Sequence, residues 1–315
     1  MIAPLLPLYL AGLGAGPAVV GLVEGAAEAV ASLLKLAAGR LADRGWSPRA
    51  LVLGGYGLSN LARPLIGLAS AWGAVLGLRL LDRAGKGLRT APRDGLISTA
   101  VAAGDRGRAF GFHRAMDHAG AMLGPMAAFA LLGAGWGLEE VFLASALFGA
   151  LVLGLLVWGL PQRARGGSAG GAPGLAPLAW GRLDRRLRGL LLGTGLLALA
   201  TVPEAFLVLW ATAEGLAVAW VPLVWAVAHA VKAAVAAPAG RLADRVGRLP
   251  VVGAGWSLRV ALVAALALPG WSVAGVWALF LAYAGALACT EGAERALVGD
   301  LPLPRYGEPP SGSIT

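Results

Sequence analysis

Gly39-Arg40-Leu41-Ala42-Asp43-Arg44 recurs unchanged as Gly240-Arg241-Leu242-Ala243-Asp244-Arg245, an offset of 201 residues. The match reaches backwards, with Ala29-Val30 aligned on Ala230-Val231 and Glu28 on His229. Self-similarity at a fixed offset signals duplicated structural units. Each copy follows a long apolar run and is read as opening a basic loop. The surrounding composition says what kind of units these are. Of 315 residues, 58% are hydrophobic and 14% charged, and mean hydropathy is +0.73. A soluble domain carries roughly a quarter charged residues and has no place to hide this much apolar surface. Disorder needs low hydrophobicity. With about 20 residues per spanning helix, the chain reads as an all-α polytopic membrane protein.

The apolar runs predict a helical stub over 2–10 and spans over 18–38, 50–69, 74–98, 109–133, 141–160, 189–211, 217–238, 250–268 and 273–299. Residues 161–188 are rich in Arg, Gly and Pro and read as a linker. The expected organisation is an N-terminal half over 1–160, the linker, a partial C-terminal half over 189–299 and a tail over 300–315. Basic residues fall on alternate loops: Arg40, Arg44 and Arg49; Arg106 and Arg108; Arg163, Arg165, Arg182, Arg185, Arg186 and Arg188 on the linker; Arg241, Arg245 and Arg248. The intervening loops at 11–17, 70–73, 134–140, 212–216 and 269–272 carry neither Lys nor Arg. The positive-inside rule then places the basic loops and the linker in the cytoplasm of a multi-pass protein of the inner (plasma) membrane. The net charge of +9 and the pI near 10.7 express topology rather than nucleic-acid binding. Cys289 stands alone, so it forms no internal disulfide or cysteine metal cluster and reads as a small packing residue. The chain start shows neither a basic n-region nor a clear cleavage site, against a cleavable signal peptide.

The duplicated loops resemble the G-x-x-x-D-R-x-G-R/K loops of the major facilitator superfamily (MFS), found there between helices 2 and 3 and between helices 8 and 9. Three other pieces agree. Arg79-Leu-Leu-Asp-Arg-Ala-Gly85-Lys-Gly87 resembles the helix 4 motif R-x-x-Q-G-x-G-x-G, with Asp82 and Arg83 where Gln and Gly are usual. Gly120-x-x-x-Gly124-Pro125 resembles the helix 5 motif of proton-coupled antiporters. Arg106-Gly107-Arg108-Ala109-Phe110-Gly111 resembles the loop before that helix. The resemblance implies an MFS-like two-half helical bundle, two parallel halves related along the membrane normal, and transport of a small molecule by alternating access. It implies that helices 1, 4, 7 and 10 line a central cavity. It further implies that Gly39, Asp43 and Arg44 in one copy, and Gly240, Asp244, Arg245 and Arg248 in the other, form conformational latches.

Against twelve helices in a full member, this chain is expected to lack most of helix 1 and helices 11 and 12. With one choice of codons, reading from the third base of the Tyr306 codon yields R-G-T-A-F-G-L-Y-H. That string resembles Arg106–His113, R-G-R-A-F-G-F-H, at the repeat offset. The expectation is a reading-frame shift near 301–306, with a genuine short tail as the other reading. Loss of the partner helix would leave only the Asp244 latch its counterpart.

Charges inside spans carry function or pair with one another. Glu24, Glu28 and Lys35 share one face of helix 2 within about 40°, as an ion-pair seam or a transport path. Helix 4 concentrates Arg79, Asp82, Arg83, Lys86, Arg89, Arg93 and Asp94 in about 140° of arc, an excess of positive charge suited to an anionic substrate group. On helix 5, Asp117 is the candidate proton site and His113 reads as interfacial. Glu204 follows Pro203, which is expected to break helix 7. Glu291, with Glu294 and Arg295, is the candidate polar site of the second half. No nucleotide-binding P-loop or zincin box is present, and no cofactor is expected. The reading is a non-enzymatic, proton-coupled permease with efflux antiport favoured, monomeric, with substrate, protons and lipid as partners. A truncated, transport-inactive membrane protein is the alternative.

Overall fold

The computed structural model describes residues 2–102, 106–160, 188–189, 192–193, 195–196 and 201–299. The linker arginines Arg163, Arg165, Arg182, Arg185 and Arg186 and the tail lie outside the described residues. Every regular element described is helical: α1 (Leu6–Gly12), α2 (Pro17–Asp43), α3 (Pro48–Ile66), α4 (Trp72–Ala100), α5 (Arg106–Gly133), α6 (Leu138–Gly159), α7 (Glu204–Ala213), a 3₁₀ turn (Val218–Trp220), α8 (Val221–Val246), α9 (Arg248–Leu266) and α10 (Val273–Gly299). This is what a hydrocarbon solvent demands, because helices satisfy their own backbone groups. Five of them, beginning at Pro17, Leu138, Val218, Arg248 and Val273, are long and apolar enough to cross a membrane.

The described chain divides into two compact units. The first holds 1–168, 204–230 and 271–277. In it α4 packs along both α3 and α2, and α3 also packs on α6. Small residues allow these approaches. A Cβ on Gly55 would lie 2.6 Å from the Gly85 carbonyl oxygen, and one on Gly87 would lie 2.7 Å from the Ala31 oxygen. The two glycines of the helix 4 motif therefore serve different neighbours, Gly85 meeting α3 and Gly87 meeting α2. Polar ties are few and specific. Tyr9 of α1 stacks on Phe142 of α6 at 5.1 Å, and its buried hydroxyl reaches the carbonyls of Gly67 and Ala69 at 3.1 and 3.0 Å. Ser47 caps α3 by accepting from the Ala50 N–H, with Pro48 opening the helix. The outer face of α6 is apolar, Trp158 being 88% exposed, as a lipid-facing helix requires.

The second unit holds 169–203, 231–270 and 278–315. Its described helices are the second part of α8, α9 and α10. Ala243, Val251 and Ala293 form a small core there. Tyr283 of α10, 1% exposed, ties down the segment that precedes α7. Its hydroxyl accepts from the Val202 N–H at 3.0 Å and donates to the Val202 carbonyl at 3.1 Å.

Two expectations change in detail. The duplicated hexapeptide does not open a loop: Gly39–Asp43 forms the last turns of α2, and Gly240–Arg245 lies within α8. α2 ends at Asp43 and α8 at Val246, and just beyond each end stands a glycine, Gly45 or Gly247, whose φ of 91° or 96° is a left-handed conformation that suits glycine. The seventh helix, expected over 189–211, is interrupted: 201–203 are non-helical and α7 begins at Glu204. The reason is the one anticipated, since Pro203 offers no N–H to a continuing helix.

Candidate functional site

The charges of α2 and α4 meet in one seam of the first unit. Arg79 Nη2 donates to both carboxylate oxygens of Glu24, at 2.8 and 3.0 Å, and Nη1 donates to Asp82 Oδ2 at 3.2 Å. Arg63 of α3 reaches Asp82 Oδ1 from the other side at 2.8 Å. Asp82 is 1% exposed and Arg79 5%. A buried carboxylate held by two guanidiniums is the arrangement in which charge tolerates low dielectric. The seam then loosens. Arg83 approaches Glu24 at 3.8 Å and Lys86 approaches Glu28 at 3.6 Å. Further along, Arg89 lies 4.2 Å over the Tyr56 ring and donates to Ser59 Oγ at 2.7 Å, while Ser59 donates to the Asp82 carbonyl at 2.8 Å. Arg93 pairs with the adjacent Asp94 at 3.0 Å.

The helix 2 stripe is thus joined to helix 4 at Glu24 and Glu28, while Lys35 is exposed. Asp117 is half-exposed and faces His113 of its own helix at 3.7 Å. Gly120, Gly124 and Pro125 lie within α5, with Pro125 buried. Glu204 opens α7, where a carboxylate is favoured by the helix dipole. Among the residues of the duplicated hexapeptides, Gly39 faces α4, where a Cβ in its place would stand 3.7 Å from the Ala91 Cβ. Asp43, Arg44 and Arg245 are exposed, Gly240 is half-buried and Arg248 starts α9. The side chains of Asp244 and Arg295 are outside the described set.

The second unit has its own polar cluster. Arg259 of α9 is 5% exposed, stacks 3.5 Å over the Trp256 ring and donates to Thr290 Oγ1 at 2.7 Å and Glu294 Oε1 at 2.9 Å. Trp256 Nε1 donates to the same Glu294 oxygen at 2.8 Å. A cleft of about 170 Å³ beside them is lined by Lys232, Arg259, Leu287, Thr290, Glu291 and Glu294. Glu291 and Glu294 both line this cleft. Arg63, Ser59 and Tyr56 on α3, and Arg259 and Trp256 on α9, are neighbours of the candidate sites that the charge pattern of helices 2, 4 and 10 did not reveal. A lone arginine inside an apolar run was the available signal.

The comparisons with known proteins decide the family. The sequence profile of the Major Facilitator Superfamily matches residues 1–306. The chain belongs to the major facilitator superfamily. This is a family of membrane transporters rather than enzymes, and the chain is an MFS-type multi-pass membrane protein. An uncharacterised MFS-type transporter of Methanocaldococcus jannaschii is 36% identical over 155 residues, 49% of this chain and 38% of that protein. An uncharacterised protein of Mycobacterium tuberculosis is 39% identical over 150 residues, 47% of this chain and 37% of that protein. The chain thus aligns with under two fifths of the length of these relatives. Among solved structures, a bacterial homologue of the human lysosomal transporter Spinster, inward-facing and occupied, superposes with a TM-score of 0.73 at 20% identity. That match covers 93% of this chain and 69% of that one. The inward-open xylose transporter of E. coli gives 0.56 at 16% identity, covering 92% and 75%. At these identities the likeness is one of fold.

Proposed function

We propose that this MFS chain serves proton-coupled secondary transport of a small molecule by alternating access, working as an efflux antiporter. The observation that carries the reading is the charged seam of α2 and α4, because charges at such density inside spans are otherwise a pure cost. The duplicated Gly39–Arg44 and Gly240–Arg245 elements support moving halves, 1–160 and 189–299, joined by the segment 161–188. Gly120-x-x-x-Gly124-Pro125 supports the antiport direction, and Asp117, paired with His113, is the proposed proton carrier.

Proteoliposomes containing the 315-residue chain, loaded with a panel of small organic ions under an imposed pH gradient, test this reading. Gradient-driven flux is expected, and Asp117→Asn abolishes its dependence on the gradient while leaving exchange without a gradient. Unchanged coupling in Asp117→Asn removes that residue from the mechanism. Absence of any flux turns the reading into that of a membrane protein without transport activity.

The proposed membrane is the plasma membrane, with the basic loops cytoplasmic, as the alternation of arginine-bearing and arginine-free loops supports. In a Cys289→Ser background, an impermeant thiol reagent added outside cells should label Ala71→Cys and spare Trp46→Cys. The reverse pattern inverts the topology.

A further inference from the structure

The seam of α2 and α4 contains two kinds of ion pair. In the first, Arg79, Asp82, Glu24 and Arg63 are linked at 2.8–3.2 Å, and the Arg79 and Asp82 side chains are 6% and 2% exposed. In the second, the contacts are longer, and the Lys86–Glu28 pair is also the more exposed. Lys86 and Glu28 stand 3.6 Å apart with side chains 41% and 60% exposed, and Arg83 lies 3.8 Å from a carboxylate whose two oxygens Arg79 already holds. Arg83 Nε, like Arg79 Nε, is buried and has no hydrogen-bond partner among the described residues, so what sets Arg83 apart is the length of its one ion-pair contact. Five basic groups in the seam (Arg63, Arg79, Arg83, Lys86 and Arg89) face three carboxylates (Glu24, Glu28 and Asp82). The positive excess falls on the loosely paired end.

Arg83 and Lys86 are three residues apart on α4, so their side chains rise from one helix face about 5–6 Å apart at Cβ. That spacing lets a guanidinium fork and an ammonium approach a single group with two or more anionic oxygens. A cation would compete with Lys86 for Glu28 and add to the positive excess, and a neutral molecule would leave that excess unanswered. Resting on the transport reading above, we propose that Arg83 and Lys86 clamp an oxoanion of the substrate, a carboxylate, phosphate or sulfonate, and that Glu28 occupies Lys86 until the anion displaces it. Arg79 and Asp82, for all their prominence in the helix 4 motif, are the scaffold that aims the clamp.

The test is the ligand-induced rise in unfolding midpoint of the chain in nanodiscs, titrated with inorganic phosphate, octyl phosphate, octanoate and octyltrimethylammonium. At least one of the three anions should stabilise the wild type and octyltrimethylammonium should not. A response to phosphate itself means a soluble anion; a response to the octyl anions alone means that an apolar tail is also recognised. Lys86→Gln should weaken the responding anion at least tenfold, as loss of a charge-assisted contact does. Glu28→Gln should tighten it about two- to fivefold, because a half-exposed competing pair is removed. Neither side chain is buried, and if Lys86→Gln does not fold, Glu28→Gln decides alone. Equal response to the cation, no response to any of the anions, or weaker binding in Glu28→Gln overturns the proposal. Gradient-driven flux without anion binding would leave the transport reading standing and remove the clamp. Anion binding with the expected variant effects but no flux would do the opposite.

Discussion

At the scale of single residues, Asp82 is the most committed charge in the molecule's first unit. It stands where the family's helix 4 motif usually has glutamine, and two guanidiniums from different helices converge on it. Asp82→Asn removes the charge in a buried place, leaving Arg63 facing a neutral amide and Arg79 with the carboxylate of Glu24. Breaking a buried pair by removing one partner costs about 3–5 kcal/mol, so the unfolding midpoint of the purified protein should fall sharply. Glu28→Gln, at a solvated pair, should shift stability by under about 1 kcal/mol. Equal effects of the two would mean that the seam is uniform. Much of this was open to a reader of the sequence: the charges of helix 4 and their common arc follow from residue spacing alone. Which cation receives which carboxylate did not, because Arg63 and Asp82 are joined by tertiary packing, and a helical wheel of one element contains no information about its neighbour.

Helices, taken one at a time, were the most legible level. Helices emerge over the apolar runs because hydrocarbon leaves the backbone no other choice, five of the nine expected spans are long and apolar enough to cross a membrane among the described residues, and Pro203 marks the break before α7. The helix ends were less legible. The hexapeptides Gly39–Arg44 and Gly240–Arg245 look like loop openings by composition, yet the first is helical to Asp43 and the second throughout, with left-handed Gly45 and Gly247 standing just beyond the ends, since a left-handed residue and not a glycine as such ends a helix. Nor could spacing tell that the glycines of α4 differ in role. Gly87 has the Ala31 carbonyl and the Leu34 Cβ each 2.7 Å from where a Cβ would stand, whereas Gly77 on the same helix has nothing within 4 Å among the described residues. Gly87→Ala should therefore lower the unfolding midpoint by an amount corresponding to at least about 1 kcal/mol of overpacking. Gly77→Ala should raise it slightly through helix propensity. A drop of equal size in both would show that backbone freedom, rather than the α2–α4 approach, is what Gly87 supplies.

The molecule as a whole repeats its framework and varies its chemistry. Both units join neighbouring helices through a stacked guanidinium that also donates to a hydroxyl. In the first unit that arginine is Arg89 on α4, with Ser59 and Tyr56 on α3; in the second it is Arg259 on α9, beside Trp256 and with Thr290 on α10. The contact persists while the helix that carries the charge changes, which is how a duplicated scaffold can be retained as its two copies specialise. Biogenesis is where the charge of α4 is felt first. Its seven charged side chains would each oppose partition into lipid, by about 2.5–3.5 kcal/mol near the helix centre on translocon-insertion scales. On its own, α4 should be rejected by the insertion machinery. Glu24 and Glu28 on α2, and Ser59 and Arg63 on α3, answer some of those charges and are synthesised first. In a glycosylation-mapping assay, α4 placed alone in a host protein should stay outside the bilayer, and the α2–α4 segment should insert it. Efficient insertion of α4 alone would refute this order. The ribosome thus makes the answering groups before the helix that needs them, so that α4 enters the membrane as a passenger of the two helices already waiting there.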